Sequence, residues 1–148
     1  MRSGNCGNIG GKMVREIMKD PFFLGQKSEP ATKEDWTIGR DLMDALQAHR
    51  DGCVGMAANM IGIRKNIIIV NMGIMDMVMF NPRILSAKKP FETEEGCLSL
   101  TGVRKTTRYE DIEVEFRDMD WKLQRRAFTG WTAQIIQHEV DHCNGIVI

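Results

Sequence analysis

The pentapeptide HEVDH at residues 138–142 constrains this chain more than any other feature. Its two histidines are four positions apart, so on a helix they share one face and their imidazole rings can approach one metal ion. Glu139 follows the first histidine and can reach a water molecule at that ion. The chain has only three histidines, so a surface helix with two stray histidines explains this spacing poorly. The pattern predicts a helix near residue 140 that presents a metal site.

Size and composition favour one globular domain that is not built to hold nucleic acid. A chain of 148 residues can bury a core of its own. Its formal net charge is zero, which argues against binding through phosphate contacts. It has no apolar run long enough to span a membrane and no secretory signal pattern. The four cysteines form no CxxC pair, and at this length, with no secretory signal pattern, we expect reduced thiols and a cytoplasmic location.

The first twelve residues differ from the remainder of the chain. They contain four glycines and almost no apolar side chains, which is typical of disorder. We expect residues 1–12 to be a disordered tail, either native or a cloning remnant. Residues 13–148 are expected to form a single metallohydrolase domain.

Periodicity predicts short strands between two helices. The first helix starts at a Thr32 cap and ends near Ala48, where His49 is expected to cap its C-terminus and not to bind a metal. Several short strands follow, with a loop at residues 88–90. The second helix carries HEVDH and begins at Trp131, which the spacing places among its buried residues. The predicted fold class is α+β, with short antiparallel sheets packed around a central HExxH helix.

A catalytic metal site needs a third protein ligand, and the residues alone leave it open. Candidates are the side chains of His49, Cys53, Cys97 and Cys143 and several carboxylates. Cys143 directly follows His142 and is rotated about 100° around the helix, so it cannot easily join. The segment at residues 52–62 is rich in small residues, which is typical either of a tight loop or of the rim of a binding cleft.

Three stretches resemble, in order, the three motifs of the peptide deformylase family. Residues 53–60 (CVGMAANM) are similar to GxGΦAAxQ, where Φ is an apolar residue. Residues 95–99 (EGCLS) match EGCΦS, and residues 137–142 (QHEVDH) match QHExDH. VREI at residues 14–17 and NP at residues 81–82 are also similar to family features. The resemblance covers residues 13–148 and implies the peptide deformylase fold.

The resemblance implies a metal-dependent hydrolysis of N-terminal formyl groups. Cys97, His138 and His142 would hold one divalent metal ion, usually Fe²⁺, with Ni²⁺, Co²⁺ or Zn²⁺ as substitutes. The metal would lower the pKa of a water molecule, and Glu139 would take its proton as general base. The Leu98 N–H would support the oxyanion.

The resemblance also implies how the substrate binds and where it comes from. The backbones of Val54, Gly55 and Gly96 would pair with the peptide as an added strand, and Arg104 matches a basic position at the rim of the cleft. The expected partners are N-formylated peptides and nascent chains, with association with the ribosome as a further expectation. No contact with nucleic acid or a membrane is expected.

One departure affects the expected activity. Met60 stands where the family has the closing glutamine of the first motif, whose amide donates a hydrogen bond to the formyl oxygen. A thioether has no proton to donate, and losing one oxyanion donor typically lowers the rate by about 10²–10³. The alternative function is therefore a deformylase-like metal-binding or peptide-binding protein with weak or no turnover.

Overall fold

The computed structural model of the chain describes residues 8–9, 12–13, 17–97 and 100–146, except for the side chains before Ile17 and those of residues 97, 100 and 101. The described helices are α1 (Pro21–Leu24), α2 (Trp36–Ala48) and α3 (Gly130–Cys143). The described strands are β1 (Asn8–Ile9), β2 (Lys12–Met13), β3 (Gly55–Ala57), β4 (Ile67–Asn71), β5 (Asp76–Cys97), β6 (Leu100–Arg117) and β7 (Leu123–Thr129). Short 3₁₀ turns lie at Lys33–Asp35 and Ala58–Ile61.

Five of these strands form one antiparallel sheet in the order β3-β4-β5-β6-β7. Strands that are consecutive in the chain are neighbours in space, and each pair is antiparallel. Helices α2 and α3 pack on the sheet, which confirms the predicted α+β class. Strands β1 and β2 form a separate two-stranded sheet. Most of residues 1–12 lie outside the described residues, so the disorder of this segment stays a prediction.

The predicted loop at residues 88–90 is wrong, because this segment continues a strand. The register of β5 on β6 runs through Lys88↔Asp111 and Pro90↔Tyr109. Strand β4 pairs with residues 76–80 of β5, so among the described strands the remainder of β5 has a partner on one side alone, β6. Proline is tolerated at such an open edge, where its missing N–H is not needed. Strand β5 is therefore longer than expected, with bulges after Phe80 and Ile84.

Helix α2 ends at Ala48 as predicted, but Thr32 caps the 3₁₀ turn Lys33–Asp35 that leads into it, and α2 itself begins at Trp36. The Thr32 N–H donates to Asp35 Oδ2 at 2.8 Å, which completes a capping box. The helix buries Leu42 and Leu46 against the core. His49 is its C-terminal cap residue, as predicted.

Helix α3 lies against the inner face of the sheet and carries the HEVDH motif. Gln137 holds it there: its Nε2 donates to the Tyr109 carbonyl at 2.8 Å and its Oε1 accepts from the Tyr109 N–H at 2.8 Å. The predicted burial of Ile136 and Val140 is confirmed. The predicted burial of Trp131 is wrong, because this side chain is 61% exposed and stands at the mouth of a cavity. None of the described helices is long and apolar enough to cross a membrane.

Candidate active site

Helix α3 brings the imidazole rings of His138 and His142 together on one face. His138 Nε2 and His142 Nε2 are 3.2 Å apart, and both side chains are buried. Two nitrogens that each lie 2.0–2.1 Å from a tetrahedral zinc ion are separated by roughly 3.3 Å. The observed spacing therefore fits a divalent cation shared by the two rings. Burial, followed by the proximity of His138, lowers the pKa of His142 to about 3, so its ring is neutral and can act as a ligand.

Glu95 orients the first of these rings. His138 Nδ1 lies 2.7 Å from Glu95 Oε1. Burial alone would raise the pKa of Glu95, but hydrogen bonds from His138, Arg108 and Gln134 lower it to about 2. The ionised carboxylate accepts the Nδ1 proton, which leaves the lone pair of His138 on Nε2, the atom that faces His142. A carboxylate in this position fixes the tautomer of a metal-binding histidine.

Arg108 holds Glu95 in place. Its Nη2 donates to Glu95 Oε1 at 2.7 Å and its Nη1 donates to Asp141 Oδ2 at 2.6 Å. The guanidinium is buried, so it bridges β5 to α3 from inside the protein. Burial would lower the pKa of Arg108, but the hydrogen bonds to Glu95 and Asp141 raise it. Removing one partner of such a buried pair leaves an uncompensated charge.

Replacing Glu95 with glutamine should therefore lower the free energy of unfolding of the metal-free protein by about 3–5 kcal/mol at pH 7. The pKa of Glu95 falls from 4.5 to about 2 on folding, so its contribution is present above pH 4.5 and is lost as the pH falls through about 2. The difference in the free energy of unfolding between wild type and the variant should thus become smaller as the pH falls from 4.5 to about 2. Urea unfolding of both proteins at pH 7 and at pH 3 measures this difference.

The exposed neighbour Glu94 supplies the matched control for this experiment. Glu94→Gln should leave the free energy of unfolding nearly unchanged at both pH values. A loss of stability in Glu95→Gln that is the same at pH 7 and at pH 3 would contradict the assigned role of the Glu95 carboxylate.

Glu139 is the buried carboxyl beside the imidazole pair. Its Oε1 is buried and has no hydrogen-bond partner among the described residues. Burial raises the pKa of Glu139 from 4.5 to about 7, although the neighbouring His138 opposes this shift. A carboxyl whose pKa lies near the working pH can both take and return a proton. The position and the pKa suit a general base.

A cavity of about 370 Å³ opens next to these groups. Its wall includes both His138 and Glu139 from α3, together with residues of the loop before β3 and the end of β5. The further lining residues are Gly52, Cys53, Val54, Gly55, Met60, Thr93, Glu94, Glu95, Gly96, Trp131, Gln134 and Ile135. Strands β3 and β5, the 3₁₀ turn Ala58–Ile61 and helix α3 thus meet around one concave space that can hold a small substrate group.

Gly55 lets strand β3 approach helix α3 closely. A Cβ atom at this position would lie 2.7 Å from Ile135 Cγ2 and 3.2 Å from Glu139 Oε2. Any side chain here would therefore displace the part of the cavity wall that Ile135 and Glu139 form. Strand β3 pairs with β4 on one side, and its other edge borders the cavity, where an extended peptide can add as a further strand.

The structure brings together most of the residues proposed for substrate binding. Val54, Gly55, Met60 and Gly96 all line the cavity. Arg104 is exposed and is not among the described residues that line it.

Two of the expected site residues fall where the structure gives no description. Leu98 and the side chain of Cys97 lie outside the described part of the chain. Within that part, no group of three His, Cys, Asp or Glu side chains is arranged to hold a metal. Cys97 directly follows the cavity residue Gly96 in the chain. Cys143 packs in the hydrophobic core.

Sequence reasoning missed the buried ion network behind His138. Arg108 is in phase with the inward residues Ile112, Val114 and Phe116 of the same strand. A charged residue on the apolar face of a strand is rarely buried without a partner. The position of Arg108 on the apolar face of the strand could therefore have predicted a buried ion pair. Its partners are Glu95 and Asp141.

Comparisons with known proteins agree with this geometry. The profile of the polypeptide deformylase family matches residues 14–148. A peptide deformylase of Clostridium beijerinckii is 54% identical over 136 residues, which cover 92% of this chain and 100% of the relative. One of Thermotoga neapolitana is 31% identical, covering 89% of this chain and 82% of the relative. The actinonin-bound crystal structure of a class I type b peptide deformylase from Acinetobacter baumannii matches with a TM-score of 0.82 at 30% identity, over 92% of this chain and 96% of that one. This chain belongs to the polypeptide deformylase family.

Proposed function

We propose that this chain removes the N-terminal formyl group from formyl-methionyl peptides of nascent proteins, and that Cys97, His138 and His142 hold the divalent metal this family requires. One observation carries the proposal: two imidazole nitrogens 3.2 Å apart lie beside the buried carboxyl of Glu139, and His138 and Glu139 line the same cavity. The two rings and a thiolate would leave a fourth position for water or substrate.

Fe²⁺ is the proposed native ion. Imidazole and thiolate ligands also suit Ni²⁺, Co²⁺ and Zn²⁺, so these ions should substitute in the purified protein. When bound, the metal polarises a carbonyl oxygen and makes water a nucleophile near neutral pH.

Glu139 moves the proton in the proposed reaction. It takes one proton from the attacking water, whose oxygen forms the new bond to the formyl carbon. The bond between this carbon and the peptide nitrogen then breaks, and Glu139 returns the proton to the leaving amine. The products are formate and a free N-terminus. The raised pKa of Glu139, about 7, suits both halves of this transfer.

The substrate is proposed to bind to main-chain groups at the cavity. Val54 and Gly55, where β3 begins, and Gly96 near the end of β5 all line the cavity, so an extended peptide is proposed to pair with their main chains. The Leu98 N–H is proposed to donate a hydrogen bond to the developing oxyanion. Arg104 is proposed to contact the peptide outside the cavity. Since the substrates are nascent chains, we place this activity in the cytoplasm, near the ribosome.

A second candidate function is favoured by the position of Met60. Its Sδ accepts a hydrogen bond from the Ala57 N–H at 3.4 Å, and the thioether lines the cavity without a proton to donate. A protein that binds metal and peptide in this way would turn over slowly. The rate of the wild-type protein decides between the two candidates.

Formate release from formyl-Met-Ala-Ser tests the proposed function. The protein is prepared anaerobically with Fe²⁺, and in parallel with Ni²⁺, and formate is measured over time. Release that depends on the added metal supports the proposal. No release with either ion would overturn it in favour of the second candidate.

Replacing Cys97 with serine should abolish stable metal binding, because a serine hydroxyl does not supply a thiolate donor. Metal content after gel filtration, measured by mass spectrometry, checks this result. Cys53→Ser is the matched control, since Cys53 lines the same cavity and is not a proposed ligand. Full retention of metal by Cys97→Ser would contradict the ligand set.

A further inference from the structure

Asn59 is a fully buried polar residue that the catalytic mechanism does not use. It lies in the 3₁₀ turn Ala58–Ile61, directly before Met60. Its side chain has no exposed surface. The turn thus presents Met60 to the cavity and Asn59 to the protein interior. The side chains of these two neighbours therefore contact different parts of the protein.

The side chain of Asn59 reaches the metal-binding helix. Its Nδ2 donates to the carbonyl oxygen of His142 at 2.8 Å, across 83 residues of sequence. This carbonyl belongs to the last turn of α3, where helix carbonyls lack a regular intrahelical donor. It also accepts from the Gly145 N–H at 3.1 Å. Asn59 therefore ties the turn that carries Met60 to the backbone of one of the two converging histidines.

The cost of this contact argues that the amide itself matters. Asn59 Oδ1 is buried and has no hydrogen-bond partner among the described residues. An unsatisfied buried acceptor destabilises a protein, and an apolar side chain of the same shape would avoid that loss. The orientation of the amide follows from its partner, because only the NH₂ group can donate to a carbonyl.

We propose that Asn59 is a positioning residue for the metal site: its amide fixes the backbone of His142, and with it the imidazole, relative to the turn that carries Met60. This inference rests on the proposed function, since it takes His142 to be a metal ligand. Groups behind metal ligands typically change metal affinity about 10–100-fold when they are replaced. Here the group acts on the main chain of the ligand and not on its ring.

Cobalt binding to the full-length chain tests this role. Asn59→Leu keeps the size of the side chain and removes the donor. We expect it to bind Co²⁺ about 10–100-fold more weakly than wild type and to shift the visible absorption bands of the bound ion, which report ligand geometry. Unchanged affinity and an unchanged spectrum would overturn the proposal.

Ser28 supplies a matched control at the same end of α3. Its backbone N–H donates to the Cys143 carbonyl at 2.8 Å, while its buried Oγ has no partner among the described residues. Ser28→Ala therefore alters the packing below the helix without breaking a side-chain hydrogen bond to the described residues, and it should bind Co²⁺ as wild type does. Equal weakening in Ser28→Ala and Asn59→Leu would overturn the proposal, because packing alone would then explain both.

If Asn59→Leu fails to fold, NMR spectra of the wild-type protein provide a second test. The carboxamide ¹⁵N–¹H signals of Asn59 should shift when Zn²⁺ is added, because the ion orders the helix end that accepts its hydrogen bond. Carboxamide signals that do not move on Zn²⁺ binding would overturn the proposal. Failure of wild type to bind either ion would instead overturn the proposed function, so the two failures are distinguishable.

Discussion

Replacing Glu139 with glutamine should lower kcat for formate release by about 10²–10⁴-fold, the range expected when a general acid–base group is lost. Glutamine has nearly the same shape but cannot accept a proton. Burial raises the pKa of the Glu139 carboxyl to about 7, and its Oε1 has no hydrogen-bond partner within the described structure, so the group is available for proton transfer.

The measurement is formate release by metal-loaded wild type and variant at matched metal content. Glu94→Gln is the control, because Glu94 lines the same cavity but is exposed, and its activity should stay near that of wild type. If Glu139→Gln retains more than a tenth of the wild-type kcat, another residue moves the proton.

Replacing Met60 with glutamine should raise kcat by about 10²–10³-fold, the effect of one oxyanion donor. The two side chains are similar in length. In the variant, Oε1 can take over the hydrogen bond that Sδ accepts from the Ala57 N–H at 3.4 Å, and Nε2 then has a proton to donate into the cavity. This donor would strengthen binding of the oxyanion more than binding of the uncharged formyl group.

Met60→Leu separates a donor effect from a packing effect. Leucine fills much of the same space without a donor, so its rate should not rise. An increase in Met60→Gln alone supports the view that residue 60 limits turnover in this chain. If wild type is already fast and Met60→Gln adds nothing, the candidate function as a weakly active binding protein is wrong.

Local patterns predicted the helices better than the long strands. The Thr32–Asp35 capping box and the helical spacing from residue 36 depend on near neighbours; the box caps the 3₁₀ turn that leads into α2, and α2 ends at Ala48 as predicted. Pro90 reads locally as a break, yet it lies within β5. Whether a proline interrupts a strand depends on which edge of that strand is paired, and the partner β6 lies farther along the chain.

The burial of single residues also depended on distant parts of the chain. Trp131 has the spacing of a core residue on α3, but it stands at the mouth of the cavity. Arg108 carries a charge that exposure would suit, but it is buried between Glu95 and Asp141. Periodicity says which residues share a face, whereas the packing of the other elements decides what covers that face.

Local sequence patterns were enough to predict the kind of chemistry proposed for this chain. The HEVDH spacing brings two imidazoles together through the geometry of one helix, and the motif at residues 95–99 led to the family. The environment of the site residues, namely their burial and the side chains that orient them, became visible only in the folded structure. Burial raises the pKa of Glu139, Arg108 and Glu95 orient His138, and Asn59 reaches His142 across 83 residues. These effects arise from distance and desolvation between segments far apart in the chain, which no local spacing encodes.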